Sequence, residues 1–388
     1  MKFSTQFFVL IFTIFAVLSC KNSSETTENE SQTVEKTTPT LDEKIGQMLM
    51  IGFRGTDLTE DNHIYNDIKN LQIGGIVLYD YDLFSEGKLI RNIKNPEQVK
   101  ALCQAIQDLA TTDLLISIDQ EGGKVNRLKT NYGFPKVGVS AQYLGTVDNL
   151  DSTHYYAKLT AELLDDLGIN FNYAPVVDLN INPKSPAIGN IERSYSADAA
   201  VVTKHATAVL DVYKDYGIIG CLKHFPGHGS AAADSHLGIT DITKTWKEIE
   251  LEPYKNLIQE DKVEMIMTAH VYNENLDTLP ATLSKKVMTD ILRKQLKWEG
   301  IIISDDMHMG AIVQHYGLEV AIEKAINAGV DILMFSNNSR EFYDAKAAEK
   351  AVETIKKLLE EGKITEAQID NSYEKIMSLK ESLKESLK

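Results

Sequence analysis

Between positions 223 and 236 the chain reads Lys-His-Phe-Pro-Gly-His-Gly-Ser-Ala-Ala-Ala-Asp-Ser-His. Lys223, His224, His228 and His236 thus share one short stretch with the carboxylate of Asp234, and its glycines and proline favour a loop. A carboxylate two residues before an imidazole can orient the ring and bias its charge, as a proton donor and acceptor near neutral pH requires. Three close histidines also open a metal-binding reading, but no His-Glu-x-x-His spacing accompanies them. His228 alone suits a structural hydrogen-bonded role equally well. No cofactor or metal is expected.

The elements that must position this loop follow from the hydrophobic pattern. The apolar run 218–222 reads as a buried strand that ends where the loop begins. Comparable runs occur at 47–53, 71–79, 114–119, 170–178, 265–270, 300–306 and 331–335. Most are separated by stretches with helical periodicity, at 97–110, 152–167, 198–216, 247–259, 284–296 and 317–328. Eight strands alternating with helices predict an α/β fold, a single (β/α)8 TIM-type barrel, with additional C-terminal helices over 341–388. A doubly wound open sheet is the alternative, but no Gly-x-Gly-x-x-Gly follows an early strand.

Several strands finish in polar groups: Asp119 with Glu121, Asp178, Lys223 with His224, His270, and Asp305 with Asp306. In a barrel the carboxyl ends of all strands open on one face, so these residues would converge. Asp178 and His270 read as support for others. One of Asp305 and Asp306 reads as a helix N-cap, leaving the other to face the pocket, because neighbours on a strand point to opposite sides. The residues alone suggest hydrolysis of a polar substrate. Metal hydrolase, sugar hydrolase, and lyase or aldolase chemistry through Lys223 all remain open at this point.

Composition narrows the setting. The chain has 388 residues, 43% of them hydrophobic, and a formal net charge of -16. An acidic surface repels phosphate, and no basic, aromatic-interleaved patch offsets it, so no nucleic-acid partner is expected. Residues 1–19 carry Lys2 and then an apolar run ending in small residues before Cys20, the pattern of a lipoprotein signal peptide. Residues 20–40 would hold the lipidated Cys20 and a flexible Ser/Thr/Glu-rich tether, and 41–388 the folded body. The expected location is extracytoplasmic, on the periplasmic or cell-surface side of a bacterial membrane, with a lipid anchor as partner. Cys103 and Cys221 read as two separate thiols.

The segments Lys223-His224-Phe225-Pro226-Gly227-His228-Gly229, Asp234-Ser235-His236 and Ile118-Asp119-Gln120-Glu121-Gly122-Gly123 resemble the β-N-acetylhexosaminidases of glycoside hydrolase family three. Ala174-Pro175-Val176-Val177-Asp178, Arg193-Ser194-Tyr195 and Ser304-Asp305-Asp306-Met307 support the resemblance, which extends over about 41–340. It implies Asp305 as catalytic nucleophile, His236 as general acid/base and Asp234 as its dyad partner. It further implies that Asp119, Arg127, Arg193, Lys223 and His224 hydrogen-bond a terminal N-acetylglucosamine. The implied reaction is retaining, exo-acting hydrolysis of N-acetylglucosamine-containing glycans, including peptidoglycan fragments, through a covalent glycosyl-enzyme. The alternatives are a β-glucosidase or related exo-glycosidase of the same family, a phosphorolytic variant, and a glycan-binding protein without turnover. Lys124, the loop 189–192 and the small residues 230–233 depart from the common family pattern.

Overall fold

Runs of Ile, Val, Leu and Met without alternating polar residues are stable as strands only when both faces are covered, as in a parallel sheet sheathed by helices. The computed structural model describes residues 38–233, 238–340 and 343–386. The runs form β1 Leu49–Gly52, β2 Gly75–Leu78, β3 Leu115–Ile118, β4 Phe171–Asn172, β5 Ile219–Phe225, β6 Met265–Thr268, β7 Ile301–Ile303 and β8 Leu333–Phe335. All eight belong to one parallel sheet in the order β8-β1-β2-β3-β4-β5-β6-β7. The ring closes where Ile303 bridges Ile332 in parallel sense and the Ser304 N–H donates to Ile332 O at 2.9 Å. The expected (β/α)8 barrel is therefore the fold. The segment that carries the expected signal, Cys20 and most of the tether lies outside the described residues, as do Asp234 and His236.

Local chemistry sets the helix starts. Helix Pro96–Leu109 begins with proline in its first turn, and the Asn95 side chain accepts from the Gln98 N–H, satisfying a donor that the helix itself leaves orphaned. Asn149 and Asp198 cap Leu150–Asp166 and Ala199–Asp215 in the same way. The largest departure from the expected elements is β4, which pairs only over Phe171 and Asn172 instead of 170–178. The Ala174 N–H turns back to Asn172 O at 2.7 Å, and Pro175 has no N–H to offer a ladder. The chain beyond keeps an isolated bridge from Val176 to Lys223, which is enough to bring Asp178 beside β5.

The charged tail forms helices Ala347–Glu360 and Glu366–Ser386. Their apolar stripe, including Ile355, Leu358, Ile369 and Ile376, is fully buried, each such side chain stabilising the packed state by about 1.5–3 kcal/mol. At the amino-terminal end of the barrel, Lys380 Nζ donates to Gln47 Oε1 at 2.7 Å and Gly74 O at 2.8 Å. Cys103 and Cys221 are separate buried thiols. Among the described residues, no helix is long and apolar enough to cross a membrane.

Candidate active site

Asp119 follows the last residue of β3, and Glu121 lies two positions on. Alternate residues of an extended chain share a side, so both carboxylates reach the same partner. That partner is Lys223 in β5, whose Nζ lies 2.6 Å from Asp119 Oδ1 and 2.6 Å from Glu121 Oε1. Arg193 grips Glu121 with two parallel bonds, from Nε at 2.8 Å and Nη2 at 2.6 Å. Arg127 Nη2 lies 3.3 Å from Asp119 Oδ2. His224 joins the cluster through Nε2, which accepts from Arg193 Nη2 at 3.3 Å, while Nδ1 contacts Asp178 Oδ2 at 2.7 Å. All five residues expected to meet the sugar thus stand in one network.

Short turns aim these side chains. Gln120 Oε1 accepts from the N–H groups of Arg127 and Leu128 at 3.0 and 3.1 Å, folding the loop so that Arg127 returns over Asp119. Arg193 follows a tight turn over Gly189–Ile191, and its Nη1 donates to Ala187 O at 2.9 Å. Lys124, on the rim, donates to Asn190 O of that turn at 3.1 Å.

The network has two levels. The side chains of Asp119 and Arg127 keep 17% and 19% exposure, whereas Lys223 and Glu121 keep 2% and 6%. Lys223 is therefore the floor under Asp119, with two of its three N–H donors already committed. Burial pushes the Asp119 carboxyl upward, but Lys223 and Arg127 outweigh it and hold it well below the usual range. Arg193 and Lys223 do the same for Glu121. Burial alone would lower Lys223, yet the two carboxylates raise it above an ordinary lysine. A Schiff-base nucleophile needs a depressed pKa, so this environment removes the lyase or aldolase reading of Lys223.

At the end of β7 the two neighbouring aspartates separate in role. Asp306 is held on every side: Oδ1 accepts from the N–H groups of His308 and Ser336, both at 3.0 Å, and the Ser336 hydroxyl donates to Oδ2. The following helix starts only at Gly310, after Met309. Neither aspartate is then its N-cap; Asp306 instead ties β7 to β8. Asp305 is half-buried, with its N–H on Thr268 Oγ1 at 3.3 Å and its Oδ1 accepting from the Asp306 N–H at 2.8 Å. His270 supports from just beyond β6, with Nδ1 on Thr282 and Nε2 at 2.9 Å from Asp306 O. Tyr79, after β2, is pushed upward by burial and by the charges of both Asp119 and Asp306. Its ring packs against the Arg127 guanidinium, 5.3 Å from Cζ to the ring centroid.

These motifs fall within a larger match. Residues 40–379 match the description "Glycosyl hydrolase family 3 N terminal domain". The chain belongs to glycoside hydrolase family 3. It is 34% identical over 295 residues to a beta-hexosaminidase of Tolumonas auensis, covering 75% of this chain and 83% of that one. It is 30% identical over 384 residues to beta-hexosaminidase A of Pseudoalteromonas piscicida, covering 89% of this chain but 62% of that protein's length. Among solved structures it resembles a family 3 β-N-acetylglucosaminidase from Paenibacillus sp. strain FPU-7, with TM-score 0.80 and 32% identity, over 89% of this chain and 63% of that one.

Within this family 3 barrel, Glu121 and Asp178 belong to the site alongside the expected residues. Glu121 was detectable from its two-residue offset from Asp119. Asp178 holds His224 Nδ1 and also accepts from the His228 N–H at 2.7 Å, a role that depends on the broken end of β4. Tyr79 gave no signal in the sequence. Among the described residues, no group of three or more His, Cys, Asp or Glu is arranged to hold a metal ion.

Proposed function

We propose that this chain is a retaining, exo-acting β-N-acetylglucosaminidase. The observation that carries the reading is the ionised cluster of Asp119, Arg127, Lys223, Glu121 and Arg193 at the mouth of a family 3 barrel. Asp305 stands at the end of β7. The mostly buried upper level presents one acceptor, Asp119, and one donor, Arg127, to sugar hydroxyls and the acetamido oxygen. A buried donor or acceptor left without its sugar partner costs about 1–3 kcal/mol, so the cluster discriminates among epimers. The names borne by the relatives, beta-hexosaminidase and β-N-acetylglucosaminidase, support the same substrate class.

In this reading Asp305 attacks the anomeric carbon while His236, oriented by Asp234, gives a proton to the departing oxygen. His236 then takes a proton from water, which displaces Asp305 and releases the sugar with its configuration retained. Asp306 stays locked between β7 and β8 and holds the backbone that carries Asp305. Because the acid is an imidazole, the spacing rule for two carboxylates does not apply. The natural glycans would be peptidoglycan-derived or other N-acetylglucosamine-terminated chains. The amino-terminal pattern ending at Cys20 supports a lipid-anchored, extracytoplasmic enzyme that meets them outside the cytoplasm.

The test compares aryl β-N-acetylglucosaminide with aryl β-glucoside, with and without phosphate. Preferential hydrolysis of the former, unaffected by phosphate, is expected. Faster cleavage of the glucoside would identify the β-glucosidase branch, and a sugar phosphate as product would identify phosphorolysis. Asp305→Ala should nearly abolish turnover with an unchanged circular dichroism spectrum; wild-type rates in that variant would remove the nucleophile assignment. Cys20→Ala should move the protein from the membrane to the soluble fraction, and continued membrane retention would defeat the anchor.

A further inference from the structure

The loop that leaves β5 is bound to the body at several points before it reaches Asp234. The His228 N–H is held by Asp178 Oδ1 at 2.7 Å. The Asn182 N–H donates to Gly229 O at 3.1 Å, and Asn182 Nδ2 donates to Ala231 O at 3.0 Å. On the other side, Trp246 Nε1 donates to Pro226 O at 3.0 Å, and Glu250 Oε2 accepts from the Ser230 N–H at 3.3 Å. Glu250 also touches the backbone directly. A side chain on Gly227, where φ is +120°, would come within 2.7 Å of Glu250 Cβ and 3.0 Å of Oε2.

Glu250 is unusual among these anchors. It is a carboxyl, 1% exposed, in the turn Glu248–Leu251 that leads into helix Glu252–Gln259. The titratable groups that act on it electrostatically, Asp178 across the loop and Tyr254 in the helix that follows, are both acidic. Burial pushes its pKa up to about 7, with Asp178 adding to the rise and Ser230 partly offsetting it. A buried carboxyl without a compensating cation carries a real cost. A neutral Gln would accept the Ser230 bond at less cost, and neither sugar recognition nor Asp305 uses the group.

We propose that Glu250 is a positioning residue for the acid/base segment: packed against Gly227 and bonded to the Ser230 N–H, it fixes the stretch that delivers Asp234 and His236. This inference rests on the reading of His236 as the acid/base. Its reach is short, since Ser230 is four residues from Asp234 along the chain. Displacement of about 1 Å at such a point is enough to lower a rate about a hundredfold.

The test uses Glu250→Ala and Glu250→Asp in the full-length protein, beside His236→Ala. Asp keeps the charge but withdraws the oxygen from Ser230, and it serves where Ala fails to fold. Substrates are a β-linked N-acetylglucosamine disaccharide, which needs a proton donor, and the dinitrophenyl glycoside, which does not. Loss of a general acid/base is worth roughly 10²–10⁴, so a displaced one should cost about tenfold to a hundredfold in kcat on the disaccharide. On the dinitrophenyl glycoside KM should not rise, because the Asp119 and Lys223 cluster is intact and slowed release of the glycosyl-enzyme only lowers it, and azide should rescue turnover by replacing water as the acceptor. Glu250→Gln, which retains an acceptor for Ser230, should recover most of the disaccharide rate. Equal losses on both substrates without azide rescue, while His236→Ala shows the full leaving-group dependence, would overturn this inference alone. Absence of that dependence in His236→Ala would overturn the inference together with the functional reading beneath it.

Discussion

Replacing Lys223 by Met tests the central cluster, because the change removes an ammonium that lies 2.6 Å from each of two buried carboxylates. Breaking a buried ion pair by removing one partner costs about 3–5 kcal/mol. Arg127 still faces Asp119 and Arg193 still grips Glu121, which places the expected loss near the lower end, about 3 kcal/mol at neutral pH. There is also an escape route, since one carboxylate can take up a proton. From an ordinary carboxyl pKa near 4, that costs about 1.4 kcal/mol per pH unit, or roughly 4–5 kcal/mol at pH 7.5 but only about 1 kcal/mol at pH 5. The wild type shows the opposite trend. Its depressed Asp119 and Glu121 contribute stability above the unfolded carboxyl pKa, and they lose it as pH falls through their folded values. Urea unfolding at the two pH values should therefore find the variant about 3 kcal/mol less stable at pH 7.5 and about 1 kcal/mol less stable at pH 5. Removal of a charged hydrogen-bond partner should also lower kcat/KM by about tenfold to a hundredfold. Equal destabilisation at both pH values would refute the argument that Lys223 acts by compensating those two carboxylates.

Further outcomes follow from single contacts. Gly229→Ala would set a side chain 1.7 Å from Leu179 O; the loop must shift, and disaccharide hydrolysis should fall more than thermal stability, with a retained rate counting against tight loop placement. Asp178→Asn should loosen His224 and the His228 N–H together, costing about 1–3 kcal/mol and raising KM for the sugar; an unchanged KM would separate His224 from recognition. Lys380, lowered to about 7 by burial, with Asp113 opposing and Lys384 adding to the effect, binds more protons unfolded than folded between pH 7 and 10. The wild type should thus gain stability relative to Lys380→Met as pH rises through that window, by at most about 1.4 kcal/mol per unit, and a flat difference in urea unfolding would contradict the buried neutral amine.

The expected elements show where local information suffices. Helix Pro96–Leu109 and strand β5 lie within a few residues of their expected places, because capping groups and uninterrupted apolar runs act over one turn or one strand. The segment 170–178 is rich in apolar residues, with Phe171, Tyr173, Ala174, Val176 and Val177, yet only Phe171 and Asn172 pair. The interruption comes from a turned-back N–H and a missing proline donor, neither of which hydrophobicity records. Asp305 and Asp306 are chemically identical neighbours, and their difference arises from Ser336, thirty positions away.

The sequence by itself determined the barrel, since periodic burial needs only residue order, and it supplied the charged residues that the strand ends would bring to one face. What it left open was pairing. Lys223 meets Asp119 across 104 positions, Arg193 meets Glu121 across 72 and His224 meets Asp178 across 46. Coulombic strength depends on separation in space and on how much water is excluded, and both are set when the strands close into a ring. Only the tertiary structure therefore decided that Lys223 is a charged floor beneath Asp119, that Asp306 is a tie between strands, and that a carboxyl as unremarked as Glu250 lies against the loop leading to Asp234 and His236.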